Sequence, residues 1–271
     1  LLAIAKKIRD QESKNVSGFD GPKYWIEPAA FTPRFMPLPA LELPGVDELH
    51  LWFLDLGKLA LALSQAFSPE DIVAPPKLNI GQQRFARRFY LRLLLGAYMG
   101  LPGKDVIIQR SRRGKPSLDS KIHSCPLQFS MAKSDDRVLV GITREIPVGV
   151  DLEPVNRNPR NSLRLARRYF SSAEAKALQQ LPHAQHDTAF LRAWACKEAV
   201  VKAYGEGIAN QLCRFTVEMQ PDLPPAMLDF DGKGNADWSL ALLRPDAEYI
   251  GAVAVHQASL IPHCFKLLAT P

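Results

Sequence analysis

The chain has 271 residues, 46% of them hydrophobic and 23% charged, and carries a net charge of +6 at pH 7. That is an ordinary globular composition with room for one large domain or two modest ones, and it excludes a disordered chain. No apolar run is long enough to span a bilayer, and the basic excess favours an acidic partner or a polyphosphate ligand, with nucleic acid as the competing reading.

The first residues, LLAIAKKIRD, lack a basic stretch followed by a long apolar core, so no secretion signal is expected there. The chain does not open on Met, so the natural start can lie upstream. A short amphipathic helix is expected over Ala3–Glu12. Prolines then recur from Gly21 to Pro44 (22, 28, 33, 37, 39 and 44). Such a stretch makes a poor helix or central strand, and predicts an extended arm on the surface. A strand follows at Glu48–Leu54, then helices over Lys58–Phe67 and Gln82–Met99, the second closed by Gly100. DVIIQRS is extended, RRGKP is a turn, and LQFSM and RVLVGIT are two strands meeting at Ser134–Asp136.

The second half continues in the same style. VGVDLEPV reads as a strand, and SLRLARRYF and SSAEAKAL as helices, with Ser171 and Glu174 spaced for a capping box. The strongest helix is Thr188–Tyr204, closed by Gly205 and Gly207. LCRFTVEM, DWSLALL, YIGAVAV and CFKLLA finish the chain as strands. Strands interleaved with helices and ending in antiparallel-looking strands predict an α+β fold. Three segments are expected: a Pro-rich arm over 1–45, an α+β half over 46–145, and a second α+β half over 146–271. Cys125, Cys196, Cys213 and Cys264 form no CxxC pair, and the six histidines show no ligand spacing. The cysteines read as reduced and mostly buried, which predicts a cytoplasmic protein.

VGVDLEPV carries the first chemical signal. On a strand Val148, Val150 and Leu152 share one face and are expected to meet the core, while Asp151 and Glu153 share the other. Two such carboxylates are either the solvated face of an edge strand or the oxygen ligands of a hard ion such as Mg²⁺. The second signal is Trp194, Glu198 and Lys202, which lie on one stripe of the Thr188–Tyr204 helix. They are either a partly buried polar site or an exposed Glu–Lys pair.

Together these residues resemble a family. Asp151-Leu-Glu153 followed by Trp194-Ala-Cys-Lys197-Glu198-Ala-Val-Val-Lys202 is similar to the signature of the 4′-phosphopantetheinyl transferases. Arg113-Gly-Lys115-Pro116, the Arg88, Leu91, Arg92 pattern, and Phe170-Ser-Ser-Ala-Glu174 resemble further elements of that family. The likeness runs from about Glu48 to the end, and its length resembles the larger, pseudo-dimeric, Sfp-like branch. One departure stands out. Where the family has a strand ending in Ser-His-Ser, this chain has Ala132-Lys133-Ser134, so an ammonium replaces an imidazole.

The resemblance implies two similar α+β halves related by a pseudo-two-fold, with the active site between them. It implies transfer of phosphopantetheine from coenzyme A to a serine of an apo acyl or peptidyl carrier protein, with release of 3′,5′-ADP. It gives Asp151, Glu153 and Glu198 as ligands of Mg²⁺, with Mn²⁺ as the alternative ion, and Glu198 and Lys202 as the catalytic pair. Arg88, Arg92, Lys115, Lys133 and Lys197 are expected to hold coenzyme A or orient the cluster. A monomer that binds neither nucleic acid nor membrane is expected. The run Arg157, Arg160, Arg164, Arg167 and Arg168 is either a dock for an acidic carrier or a solvated face. A second function stands beside this one, a coenzyme A-binding homologue impaired in catalysis, motivated by Ala132 and Lys133.

Overall fold

A computed structural model of the protein describes residues 25–67, 78–157, 159, 161–205, 212–234 and 237–269. The helix expected over Ala3–Glu12 lies outside the described residues. The fold is mixed α+β and divides into two compact units.

The first unit takes the described residues from Trp25 to Pro28 and from Ile146 to Ile261. Its sheet has β1 (Trp25–Ile26), β11 (Ser239–Leu243), β12 (Tyr249–Val255) and β8 (Val148–Pro154), in that order. β12 pairs antiparallel with both β11 and β8, which leaves β8 at an edge. Three helices accompany this sheet: α3 (Ser162–Tyr169), α4 (Ser172–Gln180) and α5 (His186–Tyr204). α4 opens on the capping box expected from sequence, with Ser171 and Glu174 exchanging side-chain and backbone bonds. α5 ends at Gly205, whose φ of 78° is the left-handed C-cap that glycine adopts without strain. A small antiparallel pair, β9 (Phe215–Val217) with β10 (Met227–Phe230), completes the unit.

The second unit is Ala29–Glu145 with the residues from Pro262 onward. Its sheet has the order β2 (Phe31–Phe35), β13 (Ile261–Leu268), β3 (Glu48–Asp55), β7 (Arg137–Arg144), β6 (Leu127–Ser134). α1 (Leu56–Phe67) and α2 (Ile80–Met99) follow β3. α2 runs from an Asn79–Gln82 capping box to Gly100, and buries Leu91, Leu94 and Leu95 against Trp52, Val140 and Ile142. A two-stranded ribbon, β4 (Ile108–Arg110) with β5 (Pro116–Leu118), carries the Gly114-Lys115-Pro116 turn.

Two expectations are corrected here. The Pro-rich stretch is not only a surface arm: β1 adds a parallel edge strand to the first sheet and β2 does the same for the second. Pro33 is tolerated in β2 because that strand is an edge, where a missing N–H leaves no ladder bond unmade. The segment from 146 onward does not all stay in one half. Its final strand, β13, crosses into the second sheet and lies between β2 and β3.

Candidate active site

The site of the first unit is built where β8 meets α5. In register with β8, Ile250, Ala252 and Ala254 of β12 lie opposite Glu153, Asp151 and Gly149, and they belong to the same buried cluster as Ala195, Ala199 and Ala203 of α5. Gly149, Asp151 and Glu153 therefore point towards α5. Val148, Val150 and Leu152 face a core as expected, on the opposite face and outside that cluster; what the sequence did not show is that the carboxylate face is covered too. Both faces of β8 are covered, so alternation identified which side chains travel together and not which set meets the helix.

Close approach explains the arrangement. A Cβ on Gly149 would lie 1.9 Å from the Ala199 carbonyl oxygen and 2.3 Å from the Ala203 amide nitrogen. Only glycine lets the strand backbone touch the helix backbone there, across from a stripe of alanines at i, i+4 spacing. Trp194, Glu198 and Lys202 lie one residue earlier than those alanines, so they are on the flank of α5 beside the edge strand. The helical stripe and the two strand carboxylates thus meet at the open edge of the sheet.

The three acids are largely out of water: Asp151 is 6% exposed, Glu153 9% and Glu198 6%. The readings of a solvated strand face and of an exposed Glu–Lys pair are both set aside by that burial. Lys202 donates to Asp151 Oδ1 at 2.6 Å and not to its helical neighbour Glu198. Arg157 donates to Glu153 Oε1 and lies with its Cζ 5.7 Å from the Trp194 ring centroid. Among the described residues no cation is ion-paired to Glu198. Its carboxyl is pushed up to about 7, first by burial and then by the charges of Asp151 and Glu153, against the opposing pull of Lys202 and Arg157. Burial and Asp151 also raise Glu153 above the usual carboxylate range.

Among the described residues no three acidic, imidazole or thiol groups already stand in the geometry of a metal-ligand cluster. Two of the carboxylates are instead neutralised by Lys202 and Arg157. The donor set nevertheless fits a hard divalent cation. Asp151 Oδ2 is buried without a hydrogen-bond partner, and Glu198 is within electrostatic reach of both strand acids. Oxygen-only carboxylate donors with an unspent buried lone pair are what such an ion takes.

Lys197 has a different place from the one expected. It has no exposed surface. Its ammonium donates to Glu174 Oε1 at 2.7 Å, Glu174 Oε2 at 2.8 Å and the Phe215 carbonyl at 2.6 Å. An ammonium has three N–H groups, so none remains for a phosphate. The Phe215 ring lies 4.2 Å from its nitrogen. Glu174 also accepts from the Ser171 and Val217 amides. This pair ties α4, α5 and β9 together, and the Phe170–Glu174 turn is joined to α5 through it. Lys197 is an internal strut and not a cofactor contact.

The other residues expected to hold coenzyme A lie in the second unit. Arg88 and Arg92 of α2 line a cavity of about 230 Å³ with Leu91, Ile108, Arg110, Pro116 and Met131. Arg110 escaped the sequence reading, because only the β4–β5 pairing brings it opposite Pro116. Lys115, beside Pro116 in the turn, is half-buried, and burial pulls its ammonium below the usual lysine value. Lys133 is exposed on β6, on the same strand face as Met131 of the cavity, while Ala132 is buried. Of the arginine run, Arg164, Arg167 and Arg168 are exposed on α3, and Arg160 lies outside the described residues. Arg157 belongs to the carboxylate site, a role its spacing gave no sign of.

Buried carboxylates crowded against one another and held by resident cations make this edge of the sheet the candidate catalytic centre. Residues 147–254, which include β8 and α5, match the 4′-phosphopantetheinyl transferase superfamily. The chain is 32% identical over 216 residues to the 4′-phosphopantetheinyl transferase HetI of Nostoc sp., covering 77% of this chain and 88% of that protein. It is 26% identical over 248 residues to the human L-aminoadipate-semialdehyde dehydrogenase-phosphopantetheinyl transferase, covering 83% and 78%. It is also 26% identical over 178 residues to the 4′-phosphopantetheinyl transferase gsp of Aneurinibacillus migulanus, covering 66% and 69%. The protein belongs to the 4′-phosphopantetheinyl transferase superfamily and is an enzyme of that class.

Proposed function

We propose that the protein transfers the 4′-phosphopantetheine group of coenzyme A to a serine of an apo acyl or peptidyl carrier protein, releasing 3′,5′-ADP, with Mg²⁺ or Mn²⁺ held by Asp151, Glu153 and Glu198. The observation that carries this reading is the meeting of Asp151 and Glu153 of β8 with Glu198 of α5 in one buried, partly unsatisfied acidic site. Family membership and the names of the relatives support it.

In this reading the serine Oγ attacks the β-phosphorus of coenzyme A, and the bond to the bridging oxygen breaks, so that 3′,5′-ADP leaves with the electron pair. A bound divalent cation supplies charge neutralisation to the diphosphate. Glu198 accepts the serine proton, directly or through water. Lys202, on the rim of the site, can pass from Asp151 to the transferring phosphoryl group. Arg88, Arg92, Lys115 and Lys133 are read as contacts to the phosphates or nucleotide of coenzyme A, and Arg110 joins them because it lines one cavity with Arg88 and Arg92. Lys133 meets a phosphate as a point charge and cannot carry a proton as an imidazole would.

Incubating the protein with coenzyme A, Mg²⁺ and an apo carrier tests the reading by intact mass. The wild type adds one phosphopantetheine, and Glu198→Ala slows the addition by ~10²-fold or more. Coenzyme A binding without any mass gain would favour the second reading, an impaired homologue, for which the observation is buried Ala132 beside exposed Lys133.

A further inference from the structure

Arg157 sits in the turn that follows β8. Its backbone N–H donates to the Pro154 carbonyl at 3.0 Å, which folds the chain back over the strand it has just left. One N–H of its guanidinium holds Glu153, while the guanidinium carbon lies 5.7 Å from the centroid of the Trp194 indole. The two members of this ion pair are unequal: the Glu153 side chain is 11% exposed and that of Arg157 47%. The arginine reaches in from solvent and can return to water, where its charge is fully hydrated. The glutamate is fixed on a strand with covered faces. Arg157 also acts on Glu198 by charge alone.

We infer that Arg157 is a positioning residue that competes with the divalent cation for Glu153, a resident counter-ion that the arriving metal displaces from the carboxylate and from its seat beside Trp194. The inference rests on the reading of Asp151, Glu153 and Glu198 as a cation site. The guanidinium is bonded to Glu153 Oε1, and its positive charge repels a divalent ion arriving at the same carboxylate. In the metal-free protein the guanidinium is bonded to Glu153 and holds it in place against the repulsion of Asp151 and Glu198. Arg157 thereby holds the empty site in shape and weakens its affinity for the ion at the same time. A residue that merely oriented Glu153 for the metal would do the opposite and strengthen that affinity.

The test is Mn²⁺ binding to the full chain without coenzyme A or carrier, read from the free-ion electron paramagnetic resonance signal, with circular dichroism to establish folding. Arg157→Gln should bind Mn²⁺ ~3–10-fold more tightly than the wild type. Arg157→Lys, which keeps the charge and loses the planar fork, should fall between the two. Unchanged or weaker binding in Arg157→Gln overturns the inference and leaves the cation site standing. A wild type that binds no Mn²⁺ overturns the cation site and the inference with it. Tryptophan emission supplies a second readout. Saturating Mg²⁺ should change it in the wild type and not in Trp194→Phe or Arg157→Gln. An emission change that persists in Arg157→Gln also refutes the displacement.

Discussion

Replacing Gly149 by alanine should damage the protein far more than one methyl group suggests. The new Cβ would sit 1.9 Å from the Ala199 carbonyl oxygen and 2.3 Å from the Ala203 amide nitrogen. Both are backbone atoms of α5, so no side chain can swing away. Ordinary contact requires β8 and α5 to separate by about 1.5 Å at that point. Overpacking of this kind destabilises by about 1–3 kcal/mol, and rigid backbone on both sides puts the expectation at the upper end. The same displacement moves Asp151 and Glu153 away from Glu198 and Lys202, and a shift on the order of 1 Å at a reacting centre can slow turnover ~10²-fold. Urea denaturation measures the first effect, and phosphopantetheine addition to an apo carrier, followed by mass, measures the second. Gly81→Ala, near the N-terminus of α2, serves as the control. Its Cβ would meet only Asn79 Oδ1, at 3.3 Å, a side-chain tip that can give by a few tenths of an ångström, so its stability should stay within about 1 kcal/mol of the wild type. If Gly149→Ala matched that control in both assays, close packing would not be what positions the site.

Glu198 makes stability depend on pH. Its carboxyl rises from an ordinary 4.5 to about 7 on folding, so the folded state holds the proton more tightly than the unfolded one. Its stabilising contribution is complete below 4.5 and lost as pH rises through 7. In chelator, the wild type should lose on the order of 1–3 kcal/mol relative to Glu198→Gln between pH 5 and pH 8, and excess Mg²⁺ should shrink that loss. Parallel urea melts of the two proteins would contradict this. Lys197→Met leaves the Glu174 carboxylate buried and unpaired, and should cost about 3–5 kcal/mol, with part of it restored by adding Glu174→Gln. A loss below about 1 kcal/mol would show that the strut carries little. Charge reversal at Arg164 and Arg168 of α3 should weaken carrier binding ~10-fold while coenzyme A binding is unchanged. Equal loss of both, or of neither, counts against a dock on that helix.

Much of the site was legible because the chemistry is concentrated in two short stretches. Asp151, Glu153, Glu198 and Lys202 are brought together by β8 and α5, and the capping box at Ser171 and the stop at Gly100 are where local chemistry puts them. The alternation along β8 was legible, but the burial of its carboxylate face was not, for a physical reason. Large apolar residues suggest the core, but the face of β8 that meets α5 uses glycine and carboxylates against alanines, and the valines are buried on the other side. Gly149 two residues before Asp151, together with Ala195, Ala199 and Ala203 at helical spacing, was the available sign of that close contact. Lys197 beside Glu198 in the sequence points round the helix to Glu174, since neighbours on a helix face about 100° apart. Arg157 could not be told from the arginines after it until the turn at Pro154 folded it back. Nor could chain order reveal that β13 crosses to the second sheet, because its partners are β2 and β3, more than 200 residues earlier.

The central claim is that Asp151, Glu153 and Glu198 share one divalent cation. Anomalous diffraction from crystals grown with Mn²⁺ tests it most directly. The account predicts a single strong peak at the edge of the first sheet, within coordination distance of oxygens from all three side chains and with Arg157 no longer on Glu153. A peak touching only one of them, or none there at saturating Mn²⁺, would contradict it.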